Sequence, residues 1–454
     1  MPLETAIHAA RAVVWGAPTL ALLLGTGLYF TVRTRAFQLR RMGLWLRKTL
    51  LASLAGGARR TAKAGAVSPF AAMCTALAAT VGTGNIAGVA TALTLGGAGA
   101  VFWMWVAALV GMMTAFAETA LGMRYRRRAP DGTPYGGAMY YLRDGLGSPV
   151  LAAAFALFCT AASFGVGNMV QTGAIADGLR AVYGVPPRVT ALVVAAALAA
   201  VLWGGLGRLT RVTAALVPLM ALLYMGGAAL ALWHGRALLP EALASIFREA
   251  FDLRAGAGGA AGWGVMQALR TGIARGVFSN EAGLGSAVMV HTAAEVREPA
   301  EQGLWAIFEV FFDTIVMCTM TALVLLTSGV FPSAAGADGA ALTARAFSAV
   351  FGAAGGRFVA VSLALFAFST LLGWSYYGQR AAQYLFGAGA AQGYRVLFVA
   401  AAAAGCLMRL ELVWAFSDLC NGLMALPNLV GVIALRREAL AAWRRFEPAD
   451  RCEK

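Results

Sequence analysis

Long apolar segments separated by short basic runs are the feature that most limits what this chain can fold into. A helix that crosses a bilayer needs about 20 mostly apolar residues. Segments of that kind recur along most of the 454 residues, of which 60% are hydrophobic and 13% are charged. Soluble domains carry about twice that share of charged residues. The chain therefore lacks the polar surface of a soluble enzyme or a nucleic-acid-binding module, and we predict an all-α polytopic membrane protein in contact with the lipid bilayer.

About eleven segments have this length and composition, and the sequence predicts one membrane-spanning helix in each. Several segments are longer than a bilayer requires, which indicates breaks, tilt or attached surface helices. In chain order the predicted spans lie at 13–32, 68–95, 98–123, 148–180, 188–206, 212–234, 262–291, 303–330, 355–378, 394–411 and 412–435.

Basic residues are concentrated in alternate loops between these spans. Residues 33–63 hold nine arginines and lysines and no acidic residue, and they follow the first span. Further basic clusters at 124–128, 208–211 and 436–445 follow the third, fifth and eleventh spans. Because cytoplasmic loops carry an excess of arginine and lysine, we expect a protein of the plasma (inner) membrane with its N-terminus outside and its C-terminus in the cytoplasm.

Two glycine-rich clusters lie at mid-membrane depth in the second and seventh spans. The first reads ATVGTGNIAG at 79–88, and the second reads GVFSNEAGLGS at 276–286. Unpaired backbone at this depth is tolerated only where it lines a polar cavity, and its free N–H and C=O groups can bind anions and cations. The clusters therefore predict interrupted helices at a binding site. A helix-packing groove of small residues is the alternative.

The two clusters occupy corresponding places in two halves of similar length. Residues 68–234 and 262–436 each contain five predicted spans. An odd number of spans gives the halves opposite orientations, and paired interrupted helices in inverted halves indicate the binding site of a secondary transporter. We expect an accessory transmembrane helix and a basic cytoplasmic loop at 1–67, an extracellular loop at 235–261 and a cytoplasmic tail at 437–454.

Several motifs resemble those of the alanine or glycine:cation symporter family. They are the two glycine clusters, GGAGAVFWMWV at 96–106 with Gly111, FAFSTLLGWSYYG at 366–378, and the segment 418–429 with its NGLMA and PNL motifs. The resemblance extends from about residue 15 to residue 435. It implies the leucine-transporter fold, a 5+5 inverted repeat preceded by one helix. It also implies import of alanine or glycine with sodium by alternating access, with no cofactor other than the co-transported ion.

This resemblance implies a site for a zwitterionic amino acid. Backbone N–H groups of the first break are expected to bind the carboxylate, and carbonyl groups of the second break the ammonium group. Phe278 and Trp374 are expected to limit side-chain size, and Asn168 and Gln171 share a face of the fourth span. An interhelical hydrogen bond away from the substrate is the alternative for these two amides. The predicted substrate-binding residues are Gly82, Thr83, Gly84, Asn168, Gln171, Phe278, Asn280, Gly283, Thr370 and Trp374.

The leucine-transporter fold also implies two sodium sites, built from the oxygen ligands that a hard cation prefers. The first is expected to join the second and ninth spans, and the second to include the substrate carboxylate. Hydroxyl groups that bond back to their own helix are the alternative for the ninth span. The first set is Ala78, Val81, Ser369 and Thr370, and the second set is Thr80, Asn85 and Ser279.

Other functions and roles stay open at this point. A small amino-acid carrier can use another cation or the proton, and a channel can use glycine breaks as a selectivity filter. Filters usually come from repeated subunits or pore loops, whereas the two breaks differ in sequence. Neither HExxH nor GxSxG occurs, so nothing indicates a membrane-embedded enzyme.

Acidic residues within the predicted spans need a separate interpretation. Glu281, Asp313 and Asp418 are candidates for ion pairs with arginine, for gating or for proton movement, and Arg275 lies six residues before Glu281. Glu118 precedes the basic cluster at 124–128, and we expect it to be a solvated anchor.

Overall fold

The computed structural model is almost entirely helical, as the sequence predicts. It describes residues 2–54, 67–251, 261–331, 339–408 and 411–452. The chain begins with five helices: α1 (Pro2–Val14), α2 (Ala17–Arg33), α3 (Phe37–Arg40), α4 (Met42–Leu46) and α5 (Ala52–Leu54).

The next helices fall within the first predicted half and the loop that follows it. A short antiparallel pair of strands, β1 (Arg127–Arg128) and β2 (Pro134–Tyr135), follows the third predicted span, with Arg127 opposite Tyr135. The helices are α6 (Pro69–Thr80), α7 (Val89–Gly96), α8 (Gly99–Arg124), α9 (Ala138–Tyr140), α10 (Pro149–Phe164), α11 (Val170–Tyr183), α12 (Pro187–Leu202), α13 (Gly205–His234) and α14 (Leu239–Ala250).

The remaining helices include the second predicted half and the C-terminal segment. Wider π-helical turns at Gly84–Gly88, Tyr141–Gly145, Gly165–Met169 and Phe311–Cys318 interrupt the regular helices of the chain. The helices are α15 (Ala261–Asn280), α16 (Val288–His291), α17 (Pro299–Val310), α18 (Thr319–Thr327), α19 (Gly339–Phe351), α20 (Ala353–Phe386), α21 (Ala390–Gly405), α22 (Glu411–Ala434) and α23 (Arg436–Cys452).

Every one of the eleven predicted spans contains helix. Within the described residues, seven helical stretches are long and apolar enough to cross a membrane, and the bent pair α6–α7 makes an eighth. The helices of the other three predicted spans, α12, α15 and α21, have 16, 20 and 16 residues. The predicted loop at 235–261 contains α14, and residues 437–452 of the predicted tail lie within α23.

Both predicted interruptions are present, and local backbone geometry explains them. Helix α6 begins at Pro69 after Ser68, whose hydroxyl accepts a hydrogen bond from the N–H of Ala71, and it ends where Val81 turns extended. The axis then bends by 52° before the chain continues towards α7. Helix α15 ends at Asn280, because Glu281 takes a left-handed conformation with φ of 56°. The chain stays non-helical from 281 to 287.

The interrupted helices lie at the centre of the helical assembly. The long helix α20 packs against α6, α10, α11, α13 and α19. Helix α8 packs against α2, α15 and α17. Each break is therefore enclosed by continuous helices, which is the arrangement that makes free backbone groups tolerable inside a membrane.

Candidate substrate and ion site

The two helix breaks meet at the centre of the molecule. A side-chain carbon added at Gly84 would lie 3.6 Å from Ser279 Cα and 3.7 Å from Phe278 Cδ1. At Gly82 the same atom would collide with the hydroxyl oxygen of Thr370 on α20. Glycine is therefore required at Gly82 for the backbone of the first break to approach α20 this closely.

The structure brings together three of the four residues predicted for the first sodium site, Ala78, Val81 and Ser369. The fourth, Thr370, turns its hydroxyl towards Gly82. Ser369 Oγ lies 3.2 Å from the carbonyl oxygen of Ala78 and 3.4 Å from that of Val81. It also lies 2.8 Å from the carbonyl oxygen of Phe366 on its own helix. A hydroxyl group has only one proton to donate, so it cannot satisfy three carbonyl oxygens at once. This surplus of oxygen atoms fits a hard cation.

The bonding back to α20 that we considered as the alternative is present as well. Thr370 Oγ1 donates to the carbonyl oxygen of Phe366 at 3.0 Å, as Ser369 does at 2.8 Å. The two hydroxyls have different further contacts. Ser369 faces the carbonyl groups at the end of α6, whereas Thr370 faces Gly82.

Asp313, which the sequence identifies only as an intramembrane acid, joins the two breaks. Its Oδ1 accepts from Asn85 Nδ2 at 2.8 Å, and its Oδ2 accepts from Ser279 Oγ at 2.7 Å and Thr314 Oγ1 at 2.9 Å. Asn85 Oδ1 accepts from the N–H of Gly82 at 2.9 Å. A carboxylate, two hydroxyls and an amide thus lie beside the first break.

Thr80, the third residue predicted for the second ion set, does not belong to this group. Its hydroxyl lies 3.4 Å from the carbonyl oxygen of Ala76 on its own helix. Asn280 lies close to the group, since its Nδ2 donates to Thr314 Oγ1 at 3.1 Å. Its Oδ1 accepts from the N–H of Ala282, which stabilises the turn at the second break.

A cavity of about 710 Å³ opens beside the two breaks. Thr83 and Gly84 line it from the first break, and Phe278 lines it from α15. Trp414 of α22 stacks on Phe278 with ring centroids 5.9 Å apart and an interplanar angle of 24°. The rest of the lining consists mainly of small residues of α11, α19 and α20. The cavity thus extends to the first break.

Gln171 and Asn168 point to different partners. Gln171 Nε2 donates to the carbonyl oxygen of Val166 at 2.9 Å, and its buried Oε1 has no hydrogen-bond partner. A side-chain carbon added at Gly82 would lie 3.8 Å from that Oε1. Asn168 Nδ2 instead donates to the carbonyl oxygen of Phe398 at 2.7 Å. Asn168 therefore makes the interhelical hydrogen bond that was its alternative, while Gln171 faces the first break.

Trp374 lies behind the site and is not among the residues that line the large cavity. It is 1% exposed, and a side-chain carbon at Gly167 would collide with it. Its ring packs edge-on against Tyr377, with centroids 5.6 Å apart. Gly283 has a φ of 91°, and its carbonyl oxygen accepts from Asn428 Nδ2 at 2.9 Å.

The intramembrane acids have several different environments. Asp418 forms an ion pair with Arg11 of α1. Glu281 accepts from Ser286 Oγ at 2.5 Å and forms no ion pair with Arg275. Glu118 is 4% exposed, so the prediction of a solvated anchor was wrong.

Two interrupted helices that meet inside a bundle, with oxygen-rich groups and a cavity beside them, define a secondary transporter of the leucine-transporter-like fold. Solved structures support this fold. A manganese transporter of Eremococcus coleocola gives a TM-score of 0.56 at 14% identity, covering 81% of this chain and 78% of that one. A Na+-coupled sialic acid symporter gives 0.51 at 15% identity, covering 88% and 82%.

The chain belongs to the sodium:alanine symporter family, whose model matches residues 2–454. It is 43% identical over 441 residues to a transporter of Haemophilus influenzae, covering 96% of this chain and 94% of the relative. It is 41% identical over 452 residues to the sodium/alanine symporter AgcS of Methanococcus maripaludis, covering 98% of both. The protein is therefore a membrane-inserted transporter and not an enzyme, as the sequence predicts.

Proposed function

We propose that this protein imports alanine, glycine or both together with sodium by alternating access. The observation that carries the proposal is the contact between the first break and α20. Ser369 Oγ lies within 3.4 Å of the carbonyl oxygens of both Ala78 and Val81. A sodium ion bound among these oxygens would hold the end of α6 against α20. Its affinity would then depend on how the two helices are arranged, which is the requirement for coupling.

Substrate recognition is proposed to use the same break. The N–H groups of Thr83 and Gly84 are assigned to the carboxylate of the amino acid, because free N–H groups at a half-helix are anion ligands. The N–H of Gly82 already donates to Asn85 Oδ1, so Gly82 is assigned a role through its close backbone approach. The unpartnered Oε1 of Gln171 is assigned to the ammonium group, along with carbonyl groups between Phe278 and Gly283. A buried oxygen without a donor is costly, and an ammonium group supplies three donors.

The preference for small amino acids is proposed to follow from the close approach of the breaks. Gly82 faces Thr370, and Gly84 lies against Ser279 and Phe278. A substrate held here by its backbone groups has little room for a branched side chain. Alanine and glycine satisfy this limit, and larger neutral amino acids do so less well.

A second ion site is proposed at Asp313. Its carboxylate already accepts hydrogen bonds from Asn85 and Ser279, one on each break. A sodium ion here would contact Asp313 and the substrate carboxylate, which links ion and substrate directly. The alternative is a proton on Asp313, since a buried carboxylate inside a membrane is costly unless it binds a cation or is protonated.

The architecture proposed for the transport cycle consists of two inverted halves. Residues 68–234 and 262–436 are assigned to the halves, and the N-terminus and C-terminus to the outer and cytoplasmic sides. Each half contributes one interrupted helix, α6–α7 or α15–α16, so that rocking of one half against the other would open the site to each side in turn.

The test is uptake of labelled alanine by proteoliposomes that contain the full chain. Uptake should require an inward sodium gradient, stop when choline replaces sodium, and be inhibited by unlabelled alanine and glycine more than by leucine or glutamine. Counterflow separates a carrier from a channel, because only a carrier exchanges external labelled alanine for internal unlabelled alanine. Uptake that is equal in sodium and in choline would refute sodium coupling.

A further inference from the structure

Three buried glutamates surround a second, much smaller cavity. Glu118 of α8, Glu281 of the second break and Glu309 of α17 line a cavity of about 10 Å³. They are 4%, 5% and 2% exposed. The cavity shares no lining residue with the large cavity beside the two breaks. Its volume is close to the space that a single water molecule needs.

The hydrogen bonds of Glu118 and Glu281 come from neutral groups. Glu118 Oε1 accepts from Asn428 Nδ2 at 2.6 Å. Glu281 Oε2 accepts from Ser286 Oγ at 2.5 Å. Among the residues that the structure describes, no arginine or lysine forms an ion pair with either glutamate.

Glu309 is the least satisfied of the three. Its Oε2 lies 2.8 Å from His291 Nε2. Its Oε1 is buried and has no hydrogen-bond partner. His291 Nδ1 lies 2.7 Å from Gln302 Nε2, so in this arrangement the amide donates to Nδ1 and His291 carries its proton on Nε2. Even a doubly protonated His291 supplies only one positive charge for three carboxylates.

At least two uncompensated negative charges therefore lie inside the molecule unless protons or metal ions neutralise them. Burying an unpaired carboxylate inside a membrane is costly. Across the described ranges, no group of three His, Cys, Asp or Glu side chains is arranged to hold a metal ion. A proton removes the charge of a glutamate directly, because a protonated carboxyl group is neutral and needs no counter-ion.

The titratable groups that face the three glutamates come from every element packed around them. Within the part of the chain that the structure describes, none is a lysine or an arginine, and apart from His291 all are acidic or neutral. They are His291 of α16, Asp313 of the π-helical turn after α17, Tyr377 of α20, Tyr141 of the π-helical turn after α9, and Cys159 of α10. The hydroxyl of Tyr377 is buried without a partner, as is Glu309 Oε1.

We propose that the cavity between Glu118, Glu281 and Glu309 is a proton-binding site, and that Glu309 Oε1 takes up the proton from water. Glu281 is the first residue of the second break, so proton uptake here acts on the segment that begins with its left-handed turn. Proton binding itself is independent of the substrate. Only its use during transport rests on the proposed function.

Infrared spectroscopy of the full chain in lipid measures this proton directly. Difference spectra between neutral and alkaline pH should show the C=O stretch of a protonated carboxyl group that disappears as the pH rises. Glu309→Gln should lose that component, and Glu309→Asp should retain it at a shifted frequency. Glu301→Gln is the matched control, because Glu301 lies on the same helix, is more exposed and accepts from the N–H of Arg297.

The outcomes separate this proposal from the proposed function. A band of equal size in Glu309→Gln and the unaltered protein would overturn the assignment to Glu309. If Glu309→Gln does not accumulate in the membrane, the spectrum of the unaltered protein still tests the proposal. The lack of any protonated carboxyl band at neutral pH would overturn the proton site. Sodium-driven alanine uptake is measured on the same vesicles. A lack of uptake would refute the transport proposal, whereas the infrared result would be unaffected.

Discussion

Loss of the Ser369 hydroxyl is the sharpest test of the ion site, because it removes one oxygen from a crowded group. Ser369→Ala deletes the atom that lies 3.2 Å from the carbonyl oxygen of Ala78 and 3.4 Å from that of Val81. A hydrogen bond to a charged group contributes roughly 1.5–3 kcal/mol, and we take one ligand of sodium as similar. Since about 1.4 kcal/mol is a tenfold change in a binding constant, half-maximal uptake should need roughly ten to a hundred times more sodium.

The assay is alanine uptake by proteoliposomes over a range of external sodium, with choline to hold ionic strength constant. Ser375→Ala is the matched control. Ser375 lies on the same helix, is 2% exposed and donates only to the carbonyl oxygen of Leu372, at 2.7 Å. It should leave the sodium dependence unchanged. The double variant Ser369→Ala, Thr370→Val removes both hydroxyls at nearly constant volume. It should raise the sodium concentration for half-maximal uptake at least as much as Ser369→Ala does.

A thermal measurement guards against a folding artefact. Sodium binding to the native state should raise the melting temperature of the purified protein. Ser369→Ala should lose most of that increase, while Ser375→Ala keeps it. A normal sodium dependence of uptake in Ser369→Ala, together with a normal sodium-induced shift, would refute the assignment of this site.

Three further outcomes are expected. Gly82→Ala should abolish alanine uptake at a normal membrane level, because its methyl group would collide with Thr370; normal transport would mean that the break does not approach α20 in the working protein. Trp374→Ala should leave a cavity against Gly167 and lower the free energy of unfolding by about 3–5 kcal/mol, which is measured as a lower melting temperature. A stable variant that takes up leucine would instead support the predicted role of Trp374 in limiting the size of the substrate side chain. Asp313→Asn keeps the side-chain shape but removes the charge and one acceptor oxygen, and it should weaken sodium-driven uptake about tenfold or more, which corresponds to about 1.4 kcal/mol of lost ion binding; unaltered uptake would exclude Asp313 as an ion ligand.

The helix breaks could be predicted from sequence because their cause is local. Gly82, Gly84 and Gly283 sit within clusters that no regular mid-membrane helix would favour, and the chain is non-helical or bent at both places. The adjacent hydroxyl residues Ser369 and Thr370 can likewise be identified from the sequence. Helix α14 was missed, although Ala242, Ile246 and Ala250 recur at a helical spacing and are buried. A 12-residue amphipathic helix is shorter than a membrane span, so a search for membrane-length apolar segments does not identify it.

The residues that sequence reasoning misjudged depend on contacts between distant segments. Asp313 binds an amide 228 residues away, on Asn85. Glu118 is buried and accepts a hydrogen bond from Asn428, 310 residues later, whereas the basic cluster that begins six residues after it suggests solvent. The side of α20 that carries Trp374 faces Gly167. Periodicity identifies which residues share a helix face, but it does not say which neighbouring helix that face meets.

The ion pair between Arg11 and Asp418 has a consequence for how the protein is made. The two residues are 407 positions apart, and Trp15 Nε1 also donates to the carbonyl oxygen of Asp418, at 3.1 Å. Segments leave the ribosome from the N-terminus onwards, so α1 waits through the synthesis of nearly every other helix before its partner exists. A nascent chain without α22 lacks the ion-pair partner of Arg11. Docking of α1 onto α22 can therefore begin only after α22 has been synthesised, late in membrane insertion.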